Sequence, residues 1–393
     1  MITLLGIMIG LVLIMFSPMR LHAQLFERVD AATSGLRFSN NIRETDDFNV
    51  LADFYAYNGG GVAAGDVDGD GLIDLYFTGT QVGDRLYINK GNFRFVDVTF
   101  ERGIRHDSII PRTGVLLADL NADGFLDLYI CRRPGKSLYY VNDGRGYFTL
   151  ADSPITLTDS TSATMAAPID IDADGDLDLF VMRSGKSRRQ GHMNPGENDN
   201  VFRNDGNGIW VDVTAAAGIV DRGYGLGLSI GDVNGDGFAD VFVANDFEER
   251  DRLWINNGNG SYRNDAMRAL RNMSWSSMGS DIADLNSDGR LDILSMDMLP
   301  KDHFRRMTQV GGMSIYGPFF DSAQRIHNAI HINRGNGLFT NVCYLSGLAA
   351  TDWTWSVLAA DYNLDGLADV FISNGVKRDL GDQDFVYNYY AST

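Results

Sequence analysis

The residues best placed to do chemistry here are carboxylates set two apart. Six times the chain reads Asp-x-[Asp/Asn]-x-Asp-Gly-x-x-Asp, starting at Asp66, Asp119, Asp170, Asp232, Asp284 and Asp361. In a tight loop, alternate positions bring side-chain oxygens to one centre. Positions 1, 3 and 5 supply them: Asp66, Asp68, Asp70; Asp119, Asn121, Asp123; Asp170, Asp172, Asp174; Asp232, Asn234, Asp236; Asp284, Asn286, Asp288; Asp361, Asn363, Asp365. Position 7 offers a backbone carbonyl, from Leu72, Phe125, Asp176, Phe238, Arg290 or Leu367. Position 9 completes the set, directly or through water, with Asp74, Asp127, Asp178, Asp240, Asp292 or Asp369. Hard oxygen donors in a flexible shell suit calcium better than magnesium. Position 6 is glycine in every copy, where the chain must turn sharply.

A calcium helix-loop-helix has similar spacing but needs a bidentate Glu at position 12. That position holds Phe77, Ile130, Val181, Val243, Ser295 or Ile372, inside stretches of β-branched and aromatic residues. Each loop therefore joins two strands. Positions 1, 3, 5 and 9 hold 20 carboxylates, a large part of the acid behind a net charge of -19. Solvated acidic turns would leave these groups to repel one another. About six structural calcium ions are expected, because no histidine or general base recurs beside the loops.

The elements that position the loops repeat too. Before each comes a small, apolar run such as GGGVAAGD or RTGVLLAD, and after it a strand such as LIDLYF or FLDLYI. A third strand ends in asparagine, at Asn89, Asn142, Asn204, Asn256 and Asn333, and a fourth follows a glycine turn. The unit is four strands in roughly 52 residues, which fits a β-propeller blade. The expected fold is all-β, a propeller of four-stranded blades with six metal-loop repeats visible, which a closed six-bladed ring would satisfy. Residues 26–30 and 35–36 resemble the end of a unit, so the N-terminal segment is expected to donate a strand to the last blade.

The stretches GVAAGDVDGDGLIDLY, YGLGLSIGDVNGDGFADVFVANDF and SSMGSDIADLNSDGRLDILSMDMLP resemble FG-GAP and VCBS repeats, known from the integrin α propeller. The fuller pattern is similar to secreted bacterial relatives of the cartilage acidic protein family. The resemblance spans almost everything after residue 24. It implies seven blades, calcium at the blade bases, and adhesion or binding rather than a settled enzymatic role. Relatives continue further, so the propeller of residues 24–393 is expected to be truncated before its last blade.

Residues 3–16 form an apolar run followed by Leu21-His22-Ala23, which reads as a signal peptide over 1–23. The expected location is secreted, periplasmic or cell-surface, with no transmembrane segment after signal removal. Cys131 and Cys343 are expected as buried free thiols. Connections between second and third strands lie opposite the metal loops and are rich in basic residues. Arg132, Arg133, Arg188, Arg189, Arg250, Arg305 and Arg306 are the candidate contacts to a protein or glycan, an anionic one in particular. The acidic composition argues against nucleic acid. His327 and His331, four apart, would pair on a short helix and offer zinc two ligands. Two alternatives stay open. One is a polysaccharide-processing enzyme using Asp246 with Glu248 or Glu249; the other is a structural part of a larger secreted protein.

Overall fold

The structure, a computed structural model, describes residues 26–46, 48–49, 53–105, 110–157, 162–184, 197–220, 222–246, 249–309 and 323–375. The signal-peptide reading of 1–23 lies outside the described residues. The chain divides into two compact parts, Met1–Asp30 and Ala31–Thr393. Of the first, residues 26–30 carry no regular structure.

In the second part each repeat begins as the sequence pattern demands. The first comprises β1 (Val62–Gly65), β2 (Asp74–Phe77), β3 (Arg85–Asn89) and β4 (Phe95–Asp97). The second is β5 (Arg112–Ala118), β6 (Asp127–Arg132), β7 (Leu138–Asn142) and β8 (Phe148–Ala151). The third is β9 (Ala163–Ile169), β10 (Asp178–Arg183), β12 (Asn200–Asn204) and β13 (Trp210–Asp212), with β11 (Glu197–Asn198) paired to β14 (Arg222–Gly223). The fourth is β15 (Gly225–Gly231), β16 (Asp240–Asn245), β17 (Arg252–Asn256) and β18 (Tyr262–Asn264). The fifth is β20 (Gly279–Ala283), β21 (Asp292–Met296), β23 (Ala329–Asn333) and β24 (Phe339–Asn341). A parallel pair, β19 (Met273–Ser274) with β22 (Gln324–Arg325), lies beside it. The sixth contributes β25 (Thr354–Ala360) and β26 (Asp369–Asn374).

Five four-stranded antiparallel sheets and one hairpin follow one another, each sheet separately hydrogen-bonded. The expected ring is not there. Among the described residues no sheet closes into a barrel or propeller, and neither a seven- nor a six-bladed ring is seen. The physical reason is that closure requires a continuous circuit of packed sheets. Here the succession of neighbouring first strands runs β1, β5, β9, β15, β20, β25 and ends on a two-stranded hairpin. The N-terminal segment also departs from expectation. Residues 31–34 form a short helix, Ala31–Ser34, and no strand is donated from 26–36.

Alternation along the second strands packs the sheets together, because successive side chains point to opposite faces. Leu128 and Ile130 of β6 join Tyr76, Leu86 and Ile88 of the first repeat. Tyr129 and Cys131 of the same strand join Leu179, Val181 and Phe202 of the third. Phe180 and Met182 in turn face Val241, Val243 and Trp254 of the fourth. First strands approach closely where glycine lies. A Cβ on Gly114 would stand 2.6 Å from the Thr164 carbonyl oxygen, and one on Gly227 2.7 Å from the Ser280 nitrogen. Cys131 and Cys343 are both buried free thiols.

Candidate functional site

Each acidic loop joins the first two strands of its repeat, so all six occupy the same end of their sheets. The turn needs left-handed backbone twice. The position-6 glycines have φ between +81° and +92°. Position 4 is also left-handed in every copy, occupied by Gly69, Ala122, Ala173, Gly235, Ser287 and Leu364. Inside the loop the first carboxylate gathers backbone donors. Asp66 Oδ1 accepts from the Gly69 and Asp70 amides at 2.8 and 3.1 Å, and Oδ2 from Gly71 at 2.8 Å. Asp232 and Asp361 are held the same way by the amides at positions 5 and 6. Position 5 accepts from the amide of position 7, as in Asp70, Asp123, Asp236, Asp288 and Asp365.

Side-chain oxygens converge in two loops. One oxygen from each of Asp66, Asp68 and Asp74 lies within 4.8 Å of the others, as do oxygens of Asp170, Asp172 and Asp174. Asp68 Oδ1, Asp170 Oδ1 and Asp172 Oδ1 are buried and accept no hydrogen bond. Buried anionic oxygens without a donor fit a cation. In the other four loops position 3 is asparagine, and Asn121 and Asn234 donate to Asp123 and Asp236 at 3.0 and 2.9 Å.

Position 9 has a second job. Asp74 Oδ2 accepts from Val67 N at 3.0 Å, and Oδ1 from Asn89 N at 2.7 Å. Asp178, Asp240 and Asp292 bind the corresponding pairs, Ile171 with Asn204, Val233 with Asn256, and Leu285 with Asn333. Asp127 takes the Asn142 amide and the Tyr139 hydroxyl, and Asp369 the Tyr362 amide. Burial pushes Asp127 and Asp240 up to about 6 and Asp178 up to about 7, while the backbone donors pull each back. An adjacent cation would favour their charged form.

The third-strand asparagines have a role the sequence reading did not assign. Asn142 Nδ2 donates 2.9 Å to Val67 O, at position 2 of the preceding loop, and 3.0 Å to Leu126 O of its own. Asn204 reaches Leu120 O, Asn256 Ile171 O, and Asn333 Val233 O in the same manner. The signal was the recurrent Asn after each third strand; its partner, 75 to 100 residues upstream, was not legible.

Four of the basic residues proposed as ligand contacts, Arg132, Arg133, Arg305 and Arg306, are buried or bonded within the protein. Arg132 and Arg133 are buried, and Arg133 forms a two-oxygen pair with Asp53 at 2.7 Å while lying over the Tyr55 ring. Arg305 pairs with Asp352, and Arg306 donates to Pro300 O. Arg250 is half-buried, and its carbonyl accepts from Asn245 Nδ2 at 3.0 Å. Arg188 and Arg189 lie outside the described residues, as does Glu248. Asp246 is buried, and Glu249 is paired with Arg252 at 3.0 Å. His327 and His331 do not share a helix; His327 precedes β23 and His331 sits within it.

The FG-GAP-like repeat family matches residues 66–130, 119–181 and 232–295, each span running from one acidic loop through the next and into the strand after it. The chain carries FG-GAP-like repeats. It is distantly related to the cartilage acidic proteins. Cartilage acidic protein 1 of Mus musculus is 26% identical over 219 residues, covering 54% of this chain and 32% of that protein. That of Xenopus tropicalis is 24% identical over 349 residues, covering 80% and 48%. The chain thus spans a third to a half of the length of these relatives. Among solved structures, a lectin of Burkholderia pseudomallei aligns with 80% of this chain and 78% of its own, at 11% identity and a TM-score of 0.48. An Agrocybe aegerita lectin recognising non-reducing terminal N-acetylglucosamine aligns with 80% and 70%, at 16% identity and a TM-score of 0.42. No helix of the described residues is long and apolar enough to cross a membrane.

Proposed function

We propose that this FG-GAP repeat protein is an extracytoplasmic binding module whose acidic loops hold structural calcium ions. The observation that carries this reading is the set of buried, donorless carboxylate oxygens on Asp68, Asp170 and Asp172 inside convergent clusters. Distant kinship with the cartilage acidic proteins supports the extracellular binding role. Positions 1, 3 and 5 would hold the ion, with the position-7 carbonyl, and calcium would give these donorless oxygens a partner. The chain's own residues then spread that order. Position 9 ties the loop to the third strand, and the third-strand asparagine ties it to the loop before. A filled loop therefore stiffens two sheets.

Binding to the native state alone stabilises by RT ln(1 + [L]/Kd), about 2.7 kcal/mol per site at 100-fold saturation. The test is a thermal melt with and without excess chelator, with bound calcium counted by elemental analysis. Chelation should lower the melting temperature, and Asp232→Ala should remove one ion. Asp97→Ala should not, because Asp97 lies outside the loops and pairs with Arg85. No bound calcium together with an unchanged melt would overturn the reading.

A further inference from the structure

The fifth repeat carries a cavity that the loops do not explain. It has a volume of about 480 Å³, inside the roughly 300–1,000 Å³ of small-ligand sites. Three separate segments build it. Arg271 and Asn272 follow the short helix Ala266–Ala269. Arg325 and His327 come from the end of β22 and the turn after it, and Asn341 and Tyr344 from the end of β24 and beyond. Cys343 completes the wall. Among the described residues no carboxylate lines it, in a chain of net charge -19 with 52 acidic residues. Two guanidiniums, an imidazole and two amides therefore make up its polar wall.

The chemistry of each wall is specific. Arg271 is exposed, has no ion-pair partner among the described residues, and sits at φ +62°. Just past a helix end, that backbone favours glycine or asparagine over a long side chain. Asn272 Oδ1 accepts from Asn341 Nδ2 at 2.7 Å, which turns the Asn272 amide donor away from Asn341. Arg325 Nη1 donates to the Gln324 carbonyl at 2.7 Å. His327 Nδ1 donates to Asn328 O at 2.7 Å and its ring meets Tyr344 edge-on at 5.3 Å. Tyr344 itself is 72% exposed, an aromatic face at the rim. Burial raises the Cys343 thiol, so it stands at 3.6 Å from His327 Nδ1 as a neutral wall.

We propose that this cavity binds a carboxylated sugar, the terminal uronate of an anionic glycan. The guanidiniums of Arg271 and Arg325 would take the carboxylate in charge-assisted hydrogen bonds. The Asn272 amide would take a ring hydroxyl, and Tyr344 would cover the sugar face. The proposal rests on the binding-module reading and names the ligand class for it.

The test is isothermal titration of the full chain, with calcium present, using glucuronate, galacturonate, glucose and glucose 6-sulfate. One of the uronates should bind with a roughly millimolar Kd and glucose should not bind measurably. Arg271→Gly should weaken the uronate about tenfold or more while keeping the wild-type melt, because glycine suits the left-handed backbone. Arg325→Gln is the second variant and should weaken it likewise. Silence from both uronates, glucose binding as well as glucuronate, tighter binding of the sulfate ester, or unchanged affinity in both variants would each overturn the proposal. The chelator melt on the same samples reads the calcium role separately, so either idea can fall alone.

Discussion

Asn142→Ala should damage a loop that belongs to the neighbouring repeat. The side chain is 2% exposed and makes four hydrogen bonds. Its amide donates to Val67 O and Leu126 O, and its Oδ1 accepts from the Gly144 and Gly146 amides at 3.1 Å each. At about 1 kcal/mol net per bond the loss is about 4 kcal/mol. The two carbonyls left behind are what make it costly, because a buried unsatisfied group costs about 1–3 kcal/mol. Asn89→Ala is the internal control. Asn89 donates to Ile73 O of its own loop at 2.9 Å and accepts from Gly91, and among the described residues it bonds to no other loop. The difference between the variants therefore holds the link between repeats together with the added Gly146 bond. Urea midpoints give the stability loss, and hydrogen exchange over residues 66–74 locates it. Asn142→Ala should lose more stability than Asn89→Ala by about 1–3 kcal/mol and should speed exchange in the first loop. Equal losses, or undisturbed exchange at 66–74, would refute the latch.

Two further outcomes follow from other parts of the fold. Gly114→Ala should lower the urea midpoint by the equivalent of about 1–3 kcal/mol, since its Cβ would meet the Thr164 carbonyl oxygen at 2.6 Å; an unchanged midpoint would show that first strands are not in backbone contact. Asp251 is buried and accepts from Asn245 N and Ser277 Oγ at 3.0 Å, and burial pushes it up to about 7. The folded value lies above an unfolded one of about 3.9, so the native state holds the proton more tightly. That contribution is full below about pH 4 and is lost as pH rises through about 7. Asp251→Asn removes it, and its urea midpoints should vary less between pH 4 and 8 than those of the wild type. A slope equal to the wild type's would contradict the assignment.

What was legible in the sequence was local. The Asp-x-[Asp/Asn]-x-Asp-Gly spacing marked six turns, and period-2 patterns such as Leu128-Tyr129-Ile130-Cys131 marked strands buried on both faces. Each loop does join the first two strands of its repeat, and five repeats have four. Ring closure was inferred from repetition, yet repetition fixes only contacts between successive repeats. Whether the last sheet meets the first depends on accumulated twist, and among the described residues that last sheet is the two-stranded β25–β26 hairpin. The N-terminal segment shared letters with a repeat end, but Ala31–Ser34 closed a helical turn, with Gly35 N donating to Ala31 O. Long-range pairings were equally hidden. Nothing near Arg133 in the chain announces Asp53, 80 residues earlier. The cavity around Arg271 draws on segments more than 50 residues apart, so no spacing rule could have assembled it.

The asparagine latches all point one way along the chain, and that gives synthesis a direction. Val67 O waits for Asn142, 75 residues later, and Val233 O waits for Asn333, 100 residues later. At about 5–20 residues per second, a new loop therefore spends about 4–20 seconds with that carbonyl on water. Order would travel behind the growing end as a wave lagging by one repeat, and each repeat would be finished by the one that follows it.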